Sequence, residues 1–241
     1  MRPIHKGTVP AVNGIAKTVT DYKDWRADLL DRLGPYCCYC NMDLKDSPQV
    51  EHVIPKSTTP ELQLEWDNML LACGPCNRAK SDDDYNTDDH YLPDYHNTLL
   101  AFDYLILKHP TKADTNACIV IPAENDVVNT QKSIDTIKLF KLDALKSNKR
   151  ATDLRWKYRY EAYYAAQVWK KHWDDWGREK HVEFIELMII CAISKGFFGI
   201  WFKFFNDVPS VKVALINAFV GTNNYAFDNT LTPISLNEGD L

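Results

Sequence analysis

Cys37-Cys38-Tyr39-Cys40, then Glu51-His52-Val53-Ile54-Pro55-Lys56, then Cys73-Gly74-Pro75-Cys76-Asn77-Arg78-Ala79-Lys80: these three stretches decide how the chain is read. The two Cys-x2-Cys pairs are separated by 32 residues. Each pair can place two sulfurs on one metal ion through a tight turn. Together Cys37, Cys40, Cys73 and Cys76 supply a tetrahedron of thiolates, the closed, structural kind of zinc site. One pair alone would be weak evidence; two around a patterned insert are strong. The alternative is four unrelated buried cysteines.

The insert is patterned for a hairpin followed by a helix. Gln49 to Ile54 alternates and is rich in Val and Ile, which predicts a strand ending at Pro55. Residues 56–66 read as a loop and Met69 to Ala72 as a second strand. Pro75 suits the first turn of a helix that continues through Lys80. In a regular strand Glu51 and His52 point to opposite faces. Both reach one substrate group only if the strand is irregular there.

Working outward, residues 1–19 carry Pro3, Gly7, Pro10 and Gly14 and read as an irregular arm. Tyr22, Trp25, Leu29 and Leu33 recur at helical spacing, with Thr20 as N-cap and Gly34-Pro35 as the stop. The Asp82–Asp89 run and Pro93 mark a boundary or exposed loop, and Cys118 to Ile121 reads as a short buried strand. Beyond Gln131 the pattern is helical. Leu154, Tyr158, Ala162, Ala165, Trp169, Trp173 and Trp176 form one apolar stripe ending at Gly177. Further helices are predicted from about Val182 to Ser194, stopped by Gly196, and from Pro209-Ser210 to Gly221. The fold class is therefore α+β: a small zinc-stapled core with a mostly α-helical C-terminal region. The organisation expected is an arm over 1–19, a core domain over 20–95 and a helical region over 96–241.

Composition bounds the function classes. The chain has 241 residues, 45% apolar and 25% charged, as in an ordinary soluble globular protein. Met1 to Gly14 shows no apolar core of a signal peptide. The most apolar stretch, Phe184 to Phe205, is interrupted by Glu186, Lys195 and Lys203 and falls short of the roughly 18 uncharged residues of a membrane span. A cytoplasmic location without membrane association is expected, and the seven cysteines fit metal binding there better than a disulfide framework. Cys38, Cys118 and Cys191 read as small buried thiols. His5, His90, His96, His109, His172 and His181 lack ligand-like spacing and read as surface groups.

Charge is uneven. From Gly34 to His90 there are four Lys/Arg against eleven Asp/Glu; from Lys138 to Trp173 there are ten against three. The acidic segment suits a cation site, and the basic one is the better footprint for nucleic acid. There Lys149, Arg150, Arg155, Lys157, Arg159, Lys170 and Lys171 interleave with Trp156, Tyr158, Tyr160, Tyr163, Tyr164 and Trp169. Such a mixture can hold nucleic acid. It equally describes aromatics packing a helical core under a charged surface, the better account of Tyr158, Trp169 and Trp173.

The motif stretches, with Trp66-Asp67-Asn68-Met69-Leu70 between them, resemble the HNH (ββα-metal) nuclease family in its four-cysteine zinc variant. The order His52, Asn68, Asn77 reads as the H-N-N form, over about residues 36–82. The resemblance implies hydrolysis of phosphodiester bonds, with His52 taking the proton of the attacking water. Glu51 and Asn77 would hold a catalytic cation, Mg2+ or Mn2+, distinct from the structural Zn2+. Asn68 would tie the loop and orient the base, and Lys56 and Lys80 would touch phosphate. A neutral imidazole suits a base near neutral pH, and one divalent cation can stabilise the phosphorane and the leaving oxygen.

Outside the motif, Met1-Arg2-Pro3-Ile4-His5-Lys6-Gly7, Ile134-Asp135-Thr136-Ile137-Lys138-Leu139 leading to Arg150, and Gly196-Phe197-Phe198-Gly199-Ile200-Trp201 are similar to the HNH (PtuB-like) subunits of Septu and related retron anti-phage systems. That similarity implies a DNA or RNA substrate and a PtuA-like ATPase partner of the ABC/SMC type. It leaves the C-terminal half as either a partner-docking or a nucleic-acid surface. Two other functions stay open: a catalytically silent, zinc-stapled binding or assembly subunit, and a stand-alone restriction-type HNH enzyme.

Overall fold

A computed structural model describes residues 1–83, 85–112, 114–125, 128–145, 153–177 and 181–236. The segment read as an irregular arm contains a small ribbon, Ala11–Val12 (β1) paired with Ile15–Ala16 (β2), turned at Asn13-Gly14, both at positive φ. The first predicted helix begins as a 3-10 turn, Tyr22–Trp25, and continues as Arg26–Leu33 (α1). Its cap is Asp21 rather than Thr20, because the Asp21 carboxylate accepts from the Lys23 N–H at 2.9 Å. Gly34, at φ 70°, ends α1 where its N–H reaches Leu30 O.

The predicted hairpin and helix are present. Gln49–His52 (β3) runs antiparallel to Met69–Ala72 (β4), with Glu51 opposite Leu70 and His52 opposite Met69. All of β4 is buried. Gly74–Lys80 (α2) follows at once, with Pro75 in its first turn and Cys73 as N-cap, its Sγ accepting from Cys76 N at 3.4 Å.

Downstream, Thr98–Ala101 (α3) leads into an antiparallel pair, Phe102–Lys108 (β5) and Asn116–Pro122 (β6). The sequence reading found only the middle of β6. Phe102-Asp103-Tyr104-Leu105-Ile106-Leu107-Lys108 lacks a clean two-residue alternation: four apolar residues run together from Tyr104 to Leu107, and Leu105 is exposed. Thr130–Phe140 (α4) follows, then Arg155–His172 (α5), which continues as a π turn over Trp173–Gly177. The last helices are His181–Lys195 (α6), Phe198–Phe204 (α7) and Pro209–Ala218 (α8). The stop expected at Gly196 is made by two successive left-handed residues, Gly196 at φ 72° and Phe197 at φ 57°, and the helix α7 that follows was not predicted. Among the described residues no helix is long and apolar enough to cross a membrane.

Two buried clusters organise the chain. One runs from Met1 to Leu142 and contains the four motif cysteines and all of β4. The other gathers α5 to α8 together with Tyr36 and Leu99. The opening residues are part of the fold rather than loose. Arg2, 1% exposed, donates to Phe219 O, Val220 O and Leu33 O. Lys6 donates to Asp67 O and Met69 O beside the start of β4.

Several burial expectations are corrected. The buried face of α5 is Arg155, Arg159, Ala162 and Ala166, continuing to Trp173, whereas Tyr158 and Trp176 are exposed. Two arginines occupy inward positions because each donates to backbone carbonyls of other segments, a use that hydrophobic periodicity does not register. His96 and His109 are buried rather than on the surface, the first accepting from Leu92 N and the second bonded to Leu145 O. Cys38 and Cys118 are buried as expected and Cys191 is half-buried. Lys149 and Arg150 lie outside the described residues.

Gly196 is a tight joint between the clusters: a Cβ there would lie 2.6 Å from Asn41 O and 2.9 Å from Asp43 N. Gly196→Ala is therefore expected to lower stability by about 2 kcal/mol or more, from left-handed strain plus the clash. Urea unfolding checks this; an unchanged midpoint would contradict the packing described.

Candidate active site

The two cysteine turns meet because α1 and β4 pack together and each delivers one pair. Cys37–Cys40 lies in the turn after Gly34, and the Cys38 N–H bonds to Leu71 O on β4 at 2.8 Å. Cys73 and Cys76 open α2 directly after β4. The sulfurs of Cys37, Cys40, Cys73 and Cys76 all lie within 4.8 Å of one another, and Cys40 and Cys73 are 3.7 Å apart. All four residues are buried, and no other cluster of three or more His, Cys, Asp or Glu ligand atoms occurs among the described residues. Four soft donors at this separation, away from water, fit a metal ion held for structure. Arg155 Nη1 reaches Cys76 Sγ at 3.0 Å. Burial opposes the Arg155 charge, but Cys76, Asp153 and Cys40 together raise its pKa.

On the other side of α2 an open cleft of about 350 Å3 is lined by Tyr22, Glu51, His52, Lys56, Asn77, Arg78 and Asp82, among others. Glu51 and His52 thus share one cleft although they are neighbours on a strand. The ladder stops at His52, and the chain bends through Val53 and Ile54. That bend is held by Asn68. Its Oδ1 accepts from Ile54 N at 2.7 Å, while its Nδ2 donates to Ile54 O at 3.0 Å and Leu62 O at 3.1 Å. Asn68 is buried and ties the loop at three points.

His52 sits between that loop and the 3-10 turn before α1. Its Nε2 is 3.0 Å from Gln63 O, and the Tyr22 ring lies 4.6 Å from the imidazole. A carbonyl only accepts, so Nε2 carries the proton and Nδ1 is the basic nitrogen of the neutral ring. Burial lowers the His52 pKa below its ordinary value, with Lys56 and Lys80 adding to the effect and Gln63 opposing it. The imidazole is therefore neutral at pH 7.

Glu51 is 6% exposed and its carboxyl is pushed up to about 7 by burial, against the pull of Lys80. Lys80 is fully buried, with Nζ 3.2 Å from Glu51 Oε1 and 2.9 Å from His52 O. It was expected to touch phosphate. In the fold it is the counter-charge of Glu51 and a brace for the end of β3. Asn77 donates to Gln49 Oε1 at 2.9 Å, which leaves the amide oxygen as the atom not engaged by Gln49. Glu51 and Asn77 are hard oxygen donors on one cleft, a set that suits Mg2+ or Mn2+.

Four participants escaped the sequence reading. Tyr22 was assigned to a helix stripe, Gln63 acts through its backbone, and Asp82 belonged to an acidic run read as loop. Arg78 is exposed on the cleft where Lys80 is buried, and Lys56 sits over the Tyr22 ring at 4.9 Å. An Arg one residue beyond Asn77 was a visible signal. The basic helix loses part of its footprint: Arg155 and Arg159 are buried, and Lys170 and Lys171 pair with Asp174 and Asp175.

Asn68→Ala would remove the acceptor of the Ile54 N–H and the donor to Ile54 O and Leu62 O, and is expected to cost about 1–3 kcal/mol. Hydrogen exchange should then quicken across residues 54–68 and not in α5; uniform exchange would contradict the local role.

Residues 37–83 match the HNH endonuclease family. A curated relative, "Septu protein PtuB" of Bacillus thuringiensis, is 37% identical over 59 residues. That alignment spans 23% of this chain and 23% of the relative's length. No solved structure matches the chain. The segment that brings together the four thiols, Glu51, His52, Asn68 and Asn77 is thus the segment that matches the HNH endonuclease family.

Proposed function

We propose that the chain is a metal-dependent HNH endonuclease that hydrolyses phosphodiester bonds of DNA or RNA, acting as the nuclease subunit of an anti-phage defence complex. The observation that carries the nuclease reading is the shared cleft: Glu51, His52 and Asn77 open onto it together, and Gln63 leaves Nδ1 as the imidazole's free base. The defence reading, with a PtuA-like ABC/SMC-type ATPase as partner, rests on the similarity to the Septu protein over its aligned part.

His52 removes a proton from the attacking water at Nδ1, and the Gln63 carbonyl takes up the positive charge that develops on the ring. Tyr22 and the Asn68-tied loop keep the imidazole from turning. Glu51 and Asn77 would hold the catalytic cation, which supplies Lewis-acid stabilisation of the phosphorane and the leaving oxygen. Lys80 keeps the Glu51 carboxylate fixed. Arg78 and Lys56 receive the flanking phosphates, offsetting an otherwise acidic segment. The four cysteines hold a structural Zn2+ that takes no part in the chemistry.

The test is cleavage of plasmid DNA and of total RNA with Mg2+ or Mn2+, by the protein alone and together with an ATPase encoded beside it. His52→Ala should lower the rate by about 10²–10⁴-fold. If the substituted and unsubstituted proteins cut equally, or neither cuts in any combination, the chain is a silent assembly subunit instead.

The pH profile is a second test. Glu51 binds a cation only after losing its proton, so at limiting Mg2+ the acid limb should fall near the Glu51 value of about 7. Saturating Mg2+ should displace that proton and move the limb below the ordinary histidine value of about 6.5, where His52 alone governs. A limb that does not move with Mg2+ would refute this division of roles.

A further inference from the structure

Arg155 opens the longest helix of the C-terminal half, yet its Nη1 donates to Cys76 Sγ at 3.0 Å across 79 residues of sequence. The same nitrogen donates to Phe140 O at 2.9 Å, and Nη2 donates to Lys141 O at 3.0 Å and to Asp153 Oδ2 at 2.7 Å. Nε donates to both Asp153 oxygens, at 3.0 and 3.1 Å. A guanidinium is a rigid planar fork. With Asp153 gripping one edge and two carbonyls at the end of α4 gripping the other, the fork cannot turn, and Nη1 stays aimed at the sulfur. The side chain is 3% exposed, so water does not compete for the contact.

A zinc ion bound by four thiolates is a dianion, and here every cysteine of the set is buried. Charged donors form the stronger hydrogen bonds to such acceptors, and partners outside a metal's ligand set tune its retention. Cys73 receives a backbone N–H from within α2, but the donor to Cys76 comes from the first turn of α5.

We propose that Arg155 clamps the zinc site from outside: its N–H···S bond draws charge from the Cys76 thiolate and makes zinc retention depend on the docking of α5. This rests on the reading of the four cysteines as a zinc site. The bond also works in reverse. If the docked α5 favours zinc, zinc favours the docked α5 by the same free energy, so loss of zinc loosens the first turn of α5 and the end of α4 together. Metal loading would in this way set the seating of the helical half against the nuclease core.

Arg159, one turn further along α5, supplies the control. It is equally buried and donates to Cys118 O at 2.9 Å and Leu142 O at 3.0 Å, with no sulfur contact. Removing either arginine loosens α5, but only Arg155 touches a thiolate.

The experiment uses the full chain, unsubstituted and as R155M, R155K and R159M. Zinc content is measured by elemental analysis, and zinc release is followed as its transfer to excess pyridylazo-resorcinol. In the cobalt-substituted proteins the thiolate-to-metal charge-transfer band is recorded. Relative to the unsubstituted chain, R155M should release zinc about tenfold faster or more, R155K by an intermediate factor, and R159M, which keeps the contact to the sulfur, by less than either. The cobalt band should shift to longer wavelength in R155M only, because an unbonded thiolate is easier to oxidise. If R155M fails to fold, R155K carries the test and must release zinc faster than R159M. Equal rates for R155M and the unsubstituted chain, or for R155M and R159M, would overturn the clamp while leaving the zinc reading intact. A zinc-free unsubstituted protein would overturn both.

Discussion

Four thiols within 4.8 Å of one another are the constraint on which the site depends. The hairpin of β3 and β4 has four residues in each strand, and α2 has seven. Neither is of a length that holds by itself in water, since an isolated two-stranded hairpin is marginal and a helix below about 12 residues is unstable. The cysteines bind these pieces at their junction, with Cys73 serving both as donor and as helix cap. Packing then adds what the thiols lack. The buried β4 lies against α1, and Lys6 reaches across from the arm to the carbonyls that precede and open β4.

Once the ββα unit is held, burial sets its electrostatics. The same removal from water pushes the Glu51 carboxyl up and the His52 imidazole down. Each group is driven toward its neutral form, as desolvation requires. A neutral imidazole is ready to accept a proton, and a carboxyl near neutrality is ready to exchange its proton for a cation. Lys80 is placed where it stabilises the charged form of Glu51 without reaching the cleft surface, so the cations exposed on the cleft are Arg78 and Lys56.

The C-terminal half is joined to this core by short, specific contacts rather than by a broad apolar seam alone. Gly196 lets the backbone of the α6–α7 junction approach Asn41 and Asp43, Arg2 gathers carbonyls from Leu33, Phe219 and Val220, and Arg155 reaches the metal site itself. The charge asymmetry of the sequence has its explanation here. Part of the basic excess between Lys138 and Trp173 is used inside the fold, on carbonyls and a thiolate, and another part is paired with neighbouring acids.

The sequence by itself determined the local unit: the two Cys-x2-Cys turns, the strand ending before Pro55, the helix opened by Pro75, and the set Glu51, His52, Asn68 and Asn77. These are encoded by spacing and by residues with fixed backbone habits, so their signal survives without knowledge of the rest. Only the tertiary structure decided which atoms meet. Gln63 acts through a backbone oxygen, which no side chain advertises. Lys80 and Arg78 differ by two positions on one short helix, and the packing of α2 against β3 alone chose which is buried. Arg155 and Arg159 broke the apolar periodicity of α5 because their partners are carbonyls and a sulfur from distant segments. Burial of a charged group depends on partners far away in sequence, and that information exists only once the chain has folded.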